Sequence, residues 1–211
     1  MITVVGSLKG GSGKSTITFN LAVWLAMAGQ RVIAIDADPQ STLSDVIEVR
    51  NEERYEPVVK LGSVQDLNKK KKLAQYDEVL IDVGTADLEN LKQAVKLADR
   101  IFVPVPPSQA DIWSTQRFLK LVNSVTEGNV PEIYGFINRG DTHRAVRETD
   151  EAAAALVSLP GINYVKARLA QRTVFRRSFS EGLAVFELDP RSKGANEWNA
   201  LAAVLYKDIL S

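Results

Sequence analysis

Short apolar runs rich in β-branched residues alternate along this chain with longer segments of helical periodicity. The apolar runs lie at residues 2–6, 31–36, 78–82, 101–105, 132–137 and 163–165. The helical patterns lie at residues 14–28, 88–98, 110–125, 144–157, 173–181 and 195–210. This alternation predicts an α/β fold with a mostly parallel central sheet and helices on both faces. Residues 79–81 are apolar without alternation, as expected of a strand covered on both sides.

Composition narrows the classes of protein to which this chain could belong. With 211 residues, 45% of them hydrophobic, the chain suits one compact domain, which we expect to span residues 1–211. The absence of cysteine excludes disulfides, thiolate metal sites and thiol catalysis, and it fits a reducing cytoplasm. The first residues lack the pattern of a signal peptide, and no apolar run is long enough to cross a bilayer. We therefore expect a soluble, cytoplasmic protein.

A glycine-rich loop joins the first predicted strand to the first predicted helix. Its glycines let successive backbone N–H groups turn toward one centre at a helix N-terminus, which makes an anion site. In such a P-loop the lysine before the Ser-Thr pair reaches the β- and γ-phosphates, and the serine hydroxyl binds Mg²⁺ directly. The residues expected to bind the nucleotide here are Lys9, Gly10, Gly11, Ser12, Gly13, Lys14, Ser15 and Thr16. The sequence thus predicts a P-loop nucleotide-binding fold that takes ATP and Mg²⁺.

One position departs from the ordinary P-loop pattern. Leu8 stands where that pattern has its first glycine, and a second lysine, Lys9, opens the loop. In this the loop resembles that of the ParA/MinD group of deviant-Walker P-loop ATPases, and the chain as a whole looks most like the small ParA-type partition ATPases. The resemblance implies an ATP-dependent homodimer in which Lys9 crosses to the phosphates of the partner's ATP and, with Lys14, stabilises the charge of the transition state.

Acidic residues follow two of the predicted strands. Asp36 and Asp38 belong to a segment that resembles the D-x-D-P-Q motif of the family, and Asp82 ends a strand of Walker B type. The resemblance assigns Asp38 to orienting the attacking water, and it implies that Asp38 and Asp82 hold Mg²⁺ through water. Asp36 is expected to support the loop. The family often places prolines after the Walker B aspartate, whereas residues 83–86 depart from that pattern. The loop after Asp82 could therefore move differently from the corresponding loop in the family.

Two further segments resemble family motifs. Residues 104–111 look like the P-x-x-P-S-x-x-D segment that lies beside the dimer interface. Asn138 and Arg139 stand where relatives contact adenine, and Arg168 ends a segment that has lost the usual proline. The resemblance therefore places Asn138, Arg139 and Arg168 on the adenine side of the nucleotide.

The formal net charge of the chain is zero, so a nucleic-acid partner would need a local basic patch. Residues 166–193 carry seven basic and three acidic side chains, a net charge of +4. Arginines recur there at a spacing of four residues and could share one helical face. The residues expected to bind non-specific DNA are Lys166, Arg168, Arg172, Arg176 and Arg177. ATP-bound dimers of ParA-type proteins bind DNA in this way, which implies association with the nucleoid.

Three interpretations of the role of ATP follow. The first is a ParA-type switch whose hydrolysis is stimulated by a ParB-type or other adaptor and which positions a plasmid, a chromosome region or a protein organelle. The second is a MinD-like switch on membranes, which would need a basic amphipathic tail. In residues 197–210 Lys207 is the one basic residue, so we expect a core-packed closing helix. The third is a metabolic ATP-dependent ligase. Of these, the sequence favours the first.

Two remaining features carry no expected chemistry. Residues 46–76 have the least regular pattern, and their lysine run at 69–72 is expected to be solvated. The one histidine, His143, lies in a polar loop and is expected to be solvated as well.

Overall fold

A computed structural model describes residues 1–143 and 147–207. Its centre is one sheet of seven parallel strands in the order β3-β2-β4-β1-β5-β6-β7. The strands are β1 Ile2–Val5, β2 Val32–Ala37, β3 Lys60–Gly62, β4 Glu78–Val83, β5 Arg100–Val105, β6 Glu132–Ile137 and β7 Asn163–Val165. The predicted α/β fold with a parallel sheet is confirmed.

Helices cover both faces of this sheet. They are α1 Lys14–Met27, α2 Thr42–Glu52, α3 Lys70–Leu73, α4 Leu88–Leu97, α5 Gln109–Val125, α6 Glu148–Val157, α7 Thr173–Ser180, α8 Val185–Leu188 and α9 Lys193–Leu205, with a 3₁₀-helix at Val64–Asn68. One hydrophobic core lies between the sheet and α1, α2, α8 and α9. A second core lies on the opposite face, against α4, α5 and α6. Adjacent strand residues such as Val4 and Val5 belong to different cores, because side chains alternate across a strand.

The segment that showed no clear pattern contains regular structure. It holds most of α2, the edge strand β3, the 3₁₀-helix and α3. The lysine run is only partly free in solvent, because Lys69 and Lys72 both form ion pairs with the buried carboxylate of Asp66, at 3.0 and 2.7 Å. These contacts lower the pKa of Asp66 below its usual range. The run lies at the start of α3, and residues 69–71 are exposed, which agrees with the expected solvated helix end. The two ion pairs to Asp66 were not expected.

The last described helix, α9, packs into the first core. Trp198 and Leu201 are fully buried there, and Ala202 lies beside them. The expectation of a core-packed closing helix is thus confirmed for α9, while residues 208–210 of that prediction lie outside the described residues. Likewise, α6 begins at Glu148, and residues 144–146 of the helix predicted there are not described. No helix in the described chain is both long and apolar enough to cross a membrane.

Strand β1 lies at the centre of the sheet, between β4 and β5. The chain leaves β1 toward β2 on one side and later returns to β5 on the other, so the direction of strand order reverses at β1. In open parallel sheets, ligands bind beyond the carboxyl ends of the strands at such a point. The loops that follow β1, β2, β4 and β6 meet there.

Candidate functional site

The loop between β1 and α1 has the backbone of an anion site. Gly11 and Gly13 have φ angles of 75° and 94°, which L-residues with a side chain rarely adopt. Gly13 is the N-cap of α1 and supplies no side-chain hydrogen bond to the helix. The N–H groups of the first turn of α1 are therefore left for a ligand, at the positive end of the helix dipole.

Side chains around the loop hold it in this shape. The hydroxyls of Ser7 and Ser12 are 3.0 Å apart, and the Asn138 amide donates a hydrogen bond of 2.7 Å to the carbonyl of Ser12. A Cβ atom on Gly13 would lie 2.4 Å from that amide nitrogen, so a side chain at this position is excluded by contact as well as by φ. Asn138, predicted to contact adenine, thus braces the P-loop from β6.

A cavity of about 340 Å³ opens over the N-terminus of α1. Six of the eight predicted loop residues and Asp38 line it, together with residues from the loops after β2, β4 and β6, whereas Lys9 and Ser12 do not. These residues are Gly10, Gly11, Gly13, Lys14, Ser15, Thr16, Asp38, Gln40, Thr42, Thr85, Ala86 and Arg139. A second cavity of about 210 Å³ continues from it on the side of α7, and Asn138, Arg139, Phe175 and Phe179 help to line it. We call the first the phosphate-side cavity and the second the nucleoside-side cavity, after the parts of a nucleotide that the predicted P-loop and adenine-side residues would contact.

Opposite charges are buried beneath the first cavity. Lys14 is only 7% exposed, and burial lowers its pKa, while Asp82 and Asp38 oppose that shift. Burial likewise raises the pKa of Asp82 to about 7; the neighbouring Asp36 adds to the shift, and Ser15 and Lys14 oppose it. The Ser15 hydroxyl is near Asp82, yet neither carboxylate oxygen has a hydrogen-bond partner among the described residues.

A buried carboxylate without partners is costly unless a cation or water joins it. Asp82 therefore fits a role beside a hydrated Mg²⁺. In the part of the chain that the structure describes, no cluster of three acidic or histidine side chains could hold a metal by itself.

The two carboxylates after β2 have different partners. Asp36 accepts hydrogen bonds from the N–H and hydroxyl of Ser44, at 2.8 and 3.0 Å, and so caps the first turn of α2. It also accepts from the N–H of Asp38, at 3.0 Å. This agrees with the expected supporting role of Asp36. Asp38 lines the cavity itself and accepts a hydrogen bond from the N–H of Gln40.

Lys9 is held outside the phosphate-side cavity. Its ammonium group lies 2.8 Å from a carboxylate oxygen of Asp111, in the first turn of α5. The same carboxylate also accepts a hydrogen bond from Ser108, the N-cap of α5. Asp111 is buried, whereas the Lys9 side chain is 45% exposed. In this conformation Lys9 does not line the phosphate-side cavity, whereas Lys14 does.

The expectation of one arginine stripe on a helical face is wrong. Helix α7 begins at Thr173, so Arg168 precedes it and Arg172 is its N-cap. Arg172 is half-buried and forms a bidentate ion pair with Glu197 of α9, with a closest distance of 2.6 Å. Arg168 pairs with Asp150, at 2.8 Å, and lines a separate cavity beside Thr149. The structure therefore does not bring Arg168 to either nucleotide cavity.

The other basic residues remain at the surface. Lys166, Arg176 and Arg177 are exposed, and Arg177 has only a long contact of 3.8 Å to Glu181. Arg176 also lines the nucleoside-side cavity.

Comparison with known proteins agrees with this geometry. Residues 3–185 match the family described as the CobQ/CobB/MinD/ParA nucleotide binding domain. The chain belongs to this family. The predicted resemblance to ParA-type deviant-Walker ATPases is thereby confirmed, and members of the family are ATPases in general.

Individual members of the CobQ/CobB/MinD/ParA family align over nearly the full chain. Maintenance of carboxysome distribution protein A from Halothiobacillus neapolitanus is 31% identical over 199 residues, which cover 90% of this chain and 89% of that protein. Protein ParA from Rhizobium radiobacter is 26% identical over 187 residues, with coverages of 86% and 83%. The crystal structure of a plasmid partition protein from Borrelia burgdorferi bound to AMPPNP superposes with a TM-score of 0.76 at 18% identity and covers 99% of both chains.

Sequence reasoning missed several residues that line these two cavities. Thr85 and Ala86 enter the phosphate-side cavity from the loop after β4, and Phe175 and Phe179 line the nucleoside-side cavity from α7. The first pair could have been found, since they follow a Walker B strand whose carboxyl end faces the P-loop. The second pair could not, because nothing local indicates that α7 folds back against α1.

Proposed function

We propose that this chain is a ParA-type ATPase that binds Mg-ATP between two copies of itself. The observation that carries the proposal is the contrast between the two lysines of the loop. Lys14 is buried and lines the phosphate-side cavity, whereas Lys9 is held by Asp111 and does not line that cavity in its own subunit. A lysine that belongs to the P-loop but does not line its own cavity supports a role at the nucleotide of a partner.

Different residues would bind the phosphates, hold Mg²⁺ and promote hydrolysis. Amides of residues 10–16 and the ammonium of Lys14 bind the phosphates, as in other P-loop sites. The Ser15 hydroxyl would bind Mg²⁺ directly, and Asp38 and Asp82 would hold it through water; the bound cation supplies positive charge to the β- and γ-phosphates. Asp38 orients the attacking water. Lys9 from the partner adds positive charge where the transition state gathers negative charge.

In this proposal nucleotide binding is coupled to the opening of the ion pair between Lys9 and Asp111. Lys9 must leave Asp111 before it can reach the second subunit, so the ion pair opens as the dimer forms. The dimer would bring together the exposed cations Lys166, Arg176 and Arg177 of both subunits, a surface suited to the DNA backbone and indifferent to sequence. An adaptor protein would then stimulate hydrolysis and release the DNA.

The role that follows is positioning of a cargo along nucleoid DNA in the cytoplasm. Relatives named as a maintenance of carboxysome distribution protein and as a ParA protein support this class of role. The cargo of this chain would be a plasmid, a chromosome region or a protein organelle.

Sizing chromatography with Mg²⁺ and no nucleotide, ADP or ATP tests the proposal, followed by co-sedimentation with random-sequence DNA and with anionic liposomes. We expect a monomer without nucleotide and with ADP, and a dimer with ATP. Only the ATP form should bind DNA, and liposomes should retain nothing. A chain that stays monomeric with ATP would contradict the proposal, and ATP-dependent binding to liposomes without DNA binding would favour a MinD-like membrane switch.

A further inference from the structure

The carboxylate of Asp38 lies directly against the backbone of Gly84. A Cβ atom on Gly84 would lie 2.6 Å from Cγ and Oδ1 of Asp38 and 3.0 Å from Oδ2. Real Cβ atoms do not approach other atoms so closely, so any side chain here would displace the carboxylate or the loop. Gly84 is not among the glycines with positive φ. The backbone conformation at this position would therefore accept alanine, and glycine is required only because a side chain has no room.

The sheet explains why these two residues meet. Strands β2 and β4 are parallel neighbours, with Asp36 opposite Asp82 and Ala37 opposite Val83. Asp38 and Gly84 are the next pair in this register, immediately beyond the ends of both strands. Their backbones therefore leave the sheet side by side, and the Asp38 side chain turns across the position where a residue other than glycine would carry its Cβ.

Other contacts hold Asp38 from one side only. Its N–H donates to Asp36, and its Oδ1 accepts from the N–H of Gln40, both at 3.0 Å. These bonds hold Asp38 and its carboxylate from the side of the loop after β2. On the side of β4, the backbone of Gly84 limits where the carboxylate can lie.

We propose that Gly84 is a positioning residue that sets where the Asp38 carboxylate stands in the phosphate-side cavity. The inference rests on the proposed role of Asp38 in orienting water. It also gives a physical meaning to the departure of residues 83–86 from the usual proline-containing loop: here the second residue after Asp82 must be the one without a side chain.

Gly84→Ala tests this when nucleotide affinity and turnover are measured separately. A displacement of the carboxylate by about 1 Å can lower a rate by about 100-fold. We therefore expect turnover at saturating ATP to fall about 10- to 100-fold. Affinities for ATP and ADP should be retained, since the amides and Lys14 are untouched. Gly135→Ala is the control, because a Cβ there crowds a side chain equally closely, Ile162 at 2.4 Å, but in the middle of β6 and away from Asp38. It should leave turnover at saturating ATP unchanged.

A second experiment distinguishes crowding of Asp38 by the new side chain from a general effect of Gly84→Ala on the loop. Gly84→Ala should lower the midpoint of thermal unfolding in the wild-type chain and should do so much less in an Asp38→Ala background, where no carboxylate is crowded. Equal losses in both backgrounds, or full turnover by Gly84→Ala, would overturn the inference. If the wild-type chain neither binds nor hydrolyses ATP, the proposed function fails, while the unfolding measurements still decide whether Gly84 and Asp38 are in contact.

Discussion

Lys9 and Lys14 lie five positions apart in one loop and have different surroundings. Lys14 sits under the phosphate-side cavity, where burial lowers its pKa. Lys9 is paired at the surface with the buried carboxylate of Asp111. A buried ammonium group that makes no ion pair with a carboxylate gains most from a bound phosphate, so Lys14 should contribute chiefly to binding. Lys9 should contribute only when a second subunit is present.

Replacing each lysine by alanine should therefore have different results. Lys14→Ala should lose nucleotide binding, measured by calorimetry. Lys9→Ala should bind nucleotide with unchanged affinity but lose turnover by about 100- to 1,000-fold, the usual effect of removing one group that stabilises transition-state charge. Lys120→Ala, an exposed lysine on α5, is the matched control. Undiminished turnover by Lys9→Ala across a range of adaptor and DNA concentrations would refute its role in the partner's site.

The sequence predicted those parts of the site whose residues lie close together along the chain. The P-loop, Asp38 and Asp82 each lie in a short pattern beside a strand end, and a sequence pattern of that kind can be recognised. Arg168 and Arg172 form ion pairs with Asp150 and Glu197, which lie on helices α6 and α9. Spacing along the chain cannot show such partners, so the prediction of free arginines failed.

At the scale of elements, long helices and buried strands were predictable from their periodicity, and α2 was not. Its buried positions, Leu43, Val46, Ile47 and Arg50, have the spacing of an amphipathic helix. The fourth place is occupied by an arginine, which interrupts the apolar pattern. The short elements β3, α3 and α8 have three or four residues each, too few to show any period.

Helix α7 provides the prediction at this scale. Arg172 is paired with Glu197, and Arg176 lines the nucleoside-side cavity. Of the residues predicted to bind DNA, Lys166 and Arg177 are therefore the exposed ones whose removal should disturb neither the fold nor the nucleotide. The double variant Lys166→Ala with Arg177→Ala should weaken retention of the ATP form on random DNA. For every DNA phosphate that is no longer neutralised, the slope of log affinity against log salt should fall by about 0.9.

The control for this experiment is Lys96→Ala with Lys120→Ala, two exposed lysines on α4 and α5, at the opposite face of the sheet. Both double variants should still form the ATP dimer. An unchanged salt slope for Lys166→Ala with Arg177→Ala would remove this surface from the DNA interface.

At the scale of the whole molecule, one buried arginine joins parts of the chain that are far apart in sequence. Arg50, on α2, is fully buried and donates two hydrogen bonds of 2.9 Å to the carboxylate of Glu187, on α8. It donates further bonds to the carbonyls of Pro57 and Gly182, both at 3.1 Å. The helix that Asp36 caps beside the nucleotide site is thus fastened at its other end to the chain segment that follows α7.

Removing one partner of a buried ion pair leaves the other charge without compensation, which commonly costs about 3–5 kcal/mol. Arg50→Ala should therefore lower the free energy of unfolding by an amount in that range, measured by urea denaturation without nucleotide. Arg50→Lys should recover only part of the loss, because an ammonium group cannot make the bidentate bond to Glu187 and reach both carbonyls. Arg31→Ala, which breaks an exposed pair with Asp77, is the control and should change stability little. If Arg50→Ala were as mild as Arg31→Ala, the link between α2 and α8 would not stabilise the fold, and the two ends of α2 would have to be treated as independent.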